Sequence, residues 1–373
     1  MAKWNGLVRG LMEHWKQRYG LAEIERWYYE VWNEPNLPNF WAGTREQYLD
    51  FYKNTAEDVK SVCARCRVGG PATAGGGWEL AWLDYIAKER APADFLSTHT
   101  YGVTKGAIDA DGQAGTVLDT RADSIVGEVR RAHDRIAHSA KPNLELHFTE
   151  WSTSYTPTDY IHDQYISAPF ILEKLRETSP LAQSMSYWTF TDIFEEMGPR
   201  FTPFHGGFGL INYEDIRKPS FFAYRFLAQL GPKDIFTSDK QSWVTKSSDG
   251  SVEALFWDYV PIAPPNGETD QVFYKMEQPA KPASTTTLKI AGMKDGLYAL
   301  NVYRIGYEQN DAYTAYLHMG APSQLTMKQV AALQAKASGA PVEVRRVRVV
   351  QGHFEEKFKM RQNDVVLVVL SRH

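Results

Sequence analysis

Two glutamates stand out by the company they keep. Glu34 follows an aromatic run in YYEVWNEPNLPNFW (28–41), with Asn33 before it and Pro35 after it. Glu150 closes a second run, LELHFTE (144–150), just ahead of Trp151. Both runs have the length and the aromatic or β-branched content of strands. When parallel strands are covered by helices, residues just past the carboxyl ends of the strands share one face. Two carboxyls brought together there suit glycoside hydrolysis: one protonates the leaving oxygen, the other attacks the anomeric carbon or activates water to do so. Asn33 is placed to bond a sugar 2-hydroxyl, a contact that strengthens in the transition state. Either glutamate alone reads as an ordinary surface or cap residue; the pair is what points to chemistry.

The elements that would position the pair alternate. Apolar spacing at Trp4, Leu7, Val8, Leu11, Met12, Trp15 and Tyr19 predicts a helix over 4–19. A buried strand follows at 27–33, then a helix from Thr44, a good N-cap, to Val62. Strands are expected at 67–70, 94–99, 144–150 and 184–190, and helices at 78–89, 119–139, 160–177 and 219–230. A loop rich in Gly and Asp spans 102–117. Single strands alternating with helices predict an α/β fold with a parallel sheet. After Gly231-Pro232 the pattern turns to strand-like runs, with one helix near 326–337. The expected division is therefore a catalytic domain over 1–232 and a β-sandwich over 233–373.

Composition narrows the function classes. Of 373 residues, 43% are hydrophobic and 23% charged, enough to bury a core. The net charge of −4, without blocks of like charge, gives no reason to expect nucleic acid or an anionic membrane as partner. Eleven Trp, 20 Tyr and 18 Phe are many, and aromatic faces stack on sugars as well as filling cores. No apolar run reaches the ~18 residues of a membrane span. The N-terminal stretch has no signal-peptide pattern, so a cytoplasmic location is expected. Cys63 and Cys66, in VCARCRVG, read as two ordinary thiols near a helix end, since no second pair completes a zinc site.

EVWNEPNLPNFW, HFTEWS and SYWTFTDIFEE together resemble glycoside hydrolase family 39, the β-xylosidases and their relatives the α-L-iduronidases, with the xylosidase branch fitting better. The resemblance covers nearly the whole chain. It implies a (β/α)8 TIM barrel, a retaining mechanism through a covalent glycosyl-enzyme, Glu34 as acid/base and Glu150 as nucleophile. It implies that Tyr101 orients the nucleophile and that His99 meets a sugar hydroxyl. Trp188 would floor the sugar pocket, Glu195 and Glu196 would bind hydroxyls of the nonreducing sugar, and Phe40 and Trp41 would line the leaving-group side. The substrate implied is a xylo-oligosaccharide or an aryl or alkyl β-xyloside, without metal or other cofactor. A uronide-cleaving alternative would need a cation near the sugar carboxylate, for which Lys105 and Arg200 are the candidates.

Set against the family, this reading supplies strands four to eight, so the barrel is expected to lack its first three βα units. Open sheet edges would then favour homo-oligomers. A sugar-binding remnant without turnover is the further alternative.

Overall fold

The computed structural model describes residues 1–372 apart from Lys105, Glu195 and Met197. The chain forms two compact units interleaved in sequence: Met1–Tyr101, Ala122–Trp151 and Glu177–Tyr187 make the first, and Gly102–Arg121, Ser152–Arg176 and the chain from Trp188 onward make the second.

The first unit is built on five strands: β1 (Tyr28–Glu30), β2 (Arg67–Ala74), β3 (Phe95–Tyr101), β4 (Glu145–Ser152) and β5 (Ser184–Tyr187). They lie in chain order across one sheet, with parallel pairing of β1 to β2, β2 to β3 and β4 to β5. The sheet is curled enough for the Tyr28 hydroxyl to reach Glu145 Oε2 at 2.7 Å, although β2 and β3 lie between their strands in the order. Strand β2 runs four residues past the expected 67–70 because Pro71 sits at a register shift between Pro71 and Thr73, where a missing N–H is tolerated. Gly69 is required: a Cβ there would lie 2.3 Å from the Phe95 carbonyl oxygen on β3.

Helices α1 (Ala2–Tyr19), α2 (Arg45–Val62), α3 (Glu79–Lys88) and α4 (Val126–Ala137) belong to this unit, with one further turn of helix at Leu21–Ile24. Helix α2 starts at Thr44 as expected, in a full capping box. Its side chain accepts from the Gln47 N–H, and the Gln47 side chain accepts from the Thr44 N–H. Helix α4 starts later than the expected 119, because Ile125 takes a left-handed φ of 64° that a helix cannot pass through. The edge strand β1 is shorter than expected, since Trp32 turns to a φ of 73°.

The expectation of two thiols is wrong: Cys63 and Cys66 form a disulfide. The Cys66 N–H bonds back to the Cys63 carbonyl, and this tight turn after α2 brings the two Cα atoms to 5.3 Å, inside the bridging range. Such bonds persist mainly in oxidising compartments. No helix among the described residues is long and apolar enough to cross a membrane.

The second unit holds a six-stranded sheet, antiparallel throughout, and a two-stranded one, Pro282–Ile290 against Phe354–Arg361. Alternating residues from both sheets, among them Phe256, Leu288, Leu300, Phe358 and Val368, form one apolar core. The expected helix at 160–177 divides into a single turn, Tyr160–His162, and a helix, Ser167–Thr178.

Candidate active site

The site grows from the ends of β1, β3 and β4. Past β1, the Val31 N–H still bonds Gly69 O, and then the chain leaves the sheet through two left-handed residues, Trp32 (φ 73°) and Glu34 (φ 44°). Such backbone is uncommon for residues with side chains and persists where surrounding contacts hold it. The Glu34 N–H donates to Ala72 O at 2.8 Å, and the Tyr48 hydroxyl lies 3.0 Å from both Val31 O and Pro71 O. These contacts fix the turn against β2.

His99, 1% exposed on β3, comes between the two acids. Its Nδ1 lies 2.9 Å from Glu34 Oε1 and 3.4 Å from Glu150 Oε2. His99 Nε2 is buried and has no hydrogen-bond partner among the described residues. The ring therefore meets the two acids through Nδ1 alone. The Tyr101 hydroxyl, two residues on, donates to Glu150 Oε2 at 2.9 Å. Burial pushes the Glu150 carboxyl above its ordinary range. His99 and the Tyr101 hydrogen bond pull it back in part, while the charges of Glu34 and Glu30 add to the rise.

One ligand-type atom from each of Glu34, His99 and Glu150 lies within 4.8 Å of the other two. Among the described residues no other group of His, Cys, Asp and Glu is spaced for a cation. The same spacing brings two carboxyls close enough to work on opposite sides of one sugar carbon. Retaining glycosidases hold theirs about 5–5.5 Å apart and inverting ones about 6.5–9.5 Å.

Thr149 donates to Glu30 Oε1 at 2.8 Å, and Arg67 stacks its guanidinium 3.8 Å from the Tyr28 ring centroid.

The other residues singled out by sequence divide between the units. Asn33 is half-buried beside Glu34. Trp41 packs edge-on to Trp32, with ring centroids 5.7 Å apart, and donates Nε1–H to Thr44 O, while Phe40 stays exposed. Trp188, packed against Phe194 at 5.4 Å, and Glu196 and Arg200 all belong to the second unit. Glu195 and Lys105 lie outside the described residues. His205 sits in a turn, bonded to Thr202 O, as its Gly-rich setting suggested. The sequence did not show His99 meeting both acids; the alternation that makes STHTY a strand places His99 and Tyr101 on one face, and that was the available signal.

A profile of the glycosyl hydrolases family 39 matches residues 1–354. The chain belongs to that family. Among family 39 relatives, it is 38% identical over 262 residues to a β-xylosidase of Geobacillus stearothermophilus, covering 69% of this chain and 52% of that protein. It is 35% identical over 340 residues to a β-xylosidase of Caldicellulosiruptor saccharolyticus, covering 88% and 64%. The crystal structure of a monomeric β-xylosidase from Caulobacter crescentus CB15 superimposes with a TM-score of 0.96 at 41% identity, covering 100% of this chain and 75% of that one. The chain thus spans between about half and two-thirds of the length of these curated relatives.

Proposed function

We propose that this family 39 chain carries the catalytic carboxyls of a retaining exo-β-xylosidase that releases xylose from short xylo-oligosaccharides. The observation that carries this reading is the meeting of Glu34 and Glu150 across His99, within the 4.8 Å that links their oxygens. In the first step Glu150 attacks the anomeric carbon, the glycosidic C–O bond breaks, and Glu34 gives its proton to the leaving oxygen. Esterification removes the negative charge of Glu150, so Glu34 can then hold its own. In the second step Glu34 takes a proton from water, the new hydroxide oxygen bonds the anomeric carbon, and Glu150 leaves as a carboxylate. Tyr101 holds the attacking oxygen of Glu150 in place. Asn33 is read as the 2-hydroxyl contact.

The five-stranded sheet is read as strands four to eight of a (β/α)8 barrel, within 1–232, and 233–373 as a β-sandwich. The chain order of the strands supports the first reading, and the core shared by the two antiparallel sheets supports the second. The test is an intact-mass spectrum after incubation with a 2-fluoro-β-xyloside. One sugar adduct, mapped to Glu150 and lost in Glu150→Ala, is expected. An adduct on another residue, or turnover unchanged in Glu150→Ala, overturns the assignment.

A further inference from the structure

Asn36, two residues past Glu34, makes a two-way contact with a distant backbone. Its Nδ2 donates to Ala74 O at 2.9 Å, and the Ala74 N–H donates to its Oδ1 at 2.9 Å. One side chain therefore takes both polar groups of Ala74, as a neighbouring strand would. Ala74 is the last residue of β2 and stands opposite His99 in the parallel register. His99 in turn bonds the Glu34 carboxyl. A closed circuit results: from the Glu34 backbone through Asn36 to Ala74, across the sheet to His99, and back to the Glu34 carboxyl.

We propose that Asn36 is a positioning residue for proton transfer, clamping the loop that carries Glu34 onto the turn after β2. The inference rests on Glu34 being the acid/base. Glu34 holds a left-handed φ of 44°, a conformation that must be over-determined to persist. The Glu34 N–H bond to Ala72 supplies one anchor and the Leu37 N–H bond to Glu34 O a second. Both lie at the Glu34 peptide itself, and the Tyr48 hydroxyl holds the chain just before it, at Val31 O. The Asn36 amide adds the anchor on the far side of Glu34, to the last residue of β2.

Amide chemistry is specific here. An aspartate would keep the acceptor for the Ala74 N–H and set a carboxylate oxygen against Ala74 O. A longer side chain meets Gly77, where even a Cβ would lie 2.7 Å from Asn36 Nδ2. Gly77 thus leaves the space that Asn36 occupies, and its φ lies outside the left-handed region, so an alanine there suits the backbone. Gly77→Ala is a second way to dislodge Asn36 without touching Glu34.

The experiment compares Asn36→Ala and Gly77→Ala with the parent chain on two substrates. Xylobiose needs its leaving oxygen protonated; 2,4-dinitrophenyl β-xyloside does not. For both variants, kcat/KM on xylobiose should fall roughly 100-fold, the cost of about 1 Å of misplacement. On the dinitrophenyl substrate kcat/KM should hardly change. An equal fall on both substrates would reduce Asn36 to a general structural role and overturn the proposal, as would no fall on either. A parent chain that turns over neither substrate and forms no fluoro-sugar adduct refutes the functional reading instead. The clamp is then read by amide hydrogen exchange: the Ala74 and Glu34 amides should lose protection in both variants, and retained protection sinks the clamp.

Discussion

Tyr101 donates its hydroxyl to Oε2 of Glu150 at 2.9 Å. A hydrogen bond to an ionised group contributes about 1.5–3 kcal/mol. Tyr101→Phe should therefore lower kcat/KM by roughly 10- to 100-fold. The pH profile gives the sharper reading. Glu150 must be ionised to attack, and burial raises its pKa above 4.5, so the acid limb of kcat/KM should have its midpoint above that value. The Tyr101 bond lowers the pKa, so the midpoint should move further up in Tyr101→Phe. A limb that stays put would show that the hydroxyl does not act on the ionised form.

The same shift makes Glu150 a cost to folding. Its folded-state pKa lies above the unfolded one, so the folded chain binds the proton more tightly. The cost is absent below the unfolded value, grows as pH rises through the folded value, and is complete above it. Glu150→Gln is neutral at every pH. It should abolish turnover and raise Tm at neutral pH, with the gain vanishing below the ordinary range for Glu. A Tm gain independent of pH would assign the effect to packing instead. Stability given up at a reacting carboxyl is a common trade.

Local signals in the sequence reached a long way. Thr44 marked the start of α2 because an N-cap is a local signal, and Gln47 completes a capping box there. Glu34 and Glu150 could be placed on one face because the ends of parallel strands are a property of topology. What escaped was decided by contacts remote in sequence or by a single backbone angle. Asn36 reaches a partner 38 residues away, and no spacing rule announces that. Ile125 delays a helix through one left-handed φ, although its side chain suits the pattern. The Cys63–Cys66 bond depends on how tightly the chain turns after α2, which the C-x-x-C spacing permits without requiring.

Lys218 in the second unit is wholly buried between two wholly buried carboxylates, 2.6 Å from Asp163 and 2.7 Å from Asp192. The Gly206 N–H bonds Asp163 and the Gly209 N–H bonds Asp192, so the cluster fixes the chain around 205–209. Burial alone would drive the Lys218 proton off; the two aspartates outweigh it and raise its pKa. Removing one partner of a buried ionic group costs about 3–5 kcal/mol. Lys218→Met should lose stability on that scale in urea unfolding followed by tryptophan fluorescence. A loss under about 1 kcal/mol would mean the aspartates become protonated or hydrated without penalty.

Asp270 makes the last case, because its acid form is the one the fold prefers. Its Oδ1 accepts the Leu118 N–H at 3.0 Å, and it feels the buried carboxyl of Asp159, which takes the Thr116 hydroxyl at 2.9 Å. Burial first, and then the Asp159 charge, push Asp270 up to about 9. A second negative charge so near disfavours ionising both carboxyls. The pair ties together segments around 116–118, 159 and 270, with His162 and Tyr274 as the nearby titrating groups. Because the folded pKa is raised, stability should decline as pH climbs from the ordinary carboxyl range towards about 9, and then level off. An asparagine keeps the acceptor for the Leu118 N–H and is neutral at every pH. Asp270→Asn should therefore flatten the decline in Tm between pH 5 and pH 9 and leave the variant more stable than the parent at the alkaline end. Parallel Tm curves for the two proteins would show that the ionisation of Asp270 is not what links this cluster to pH.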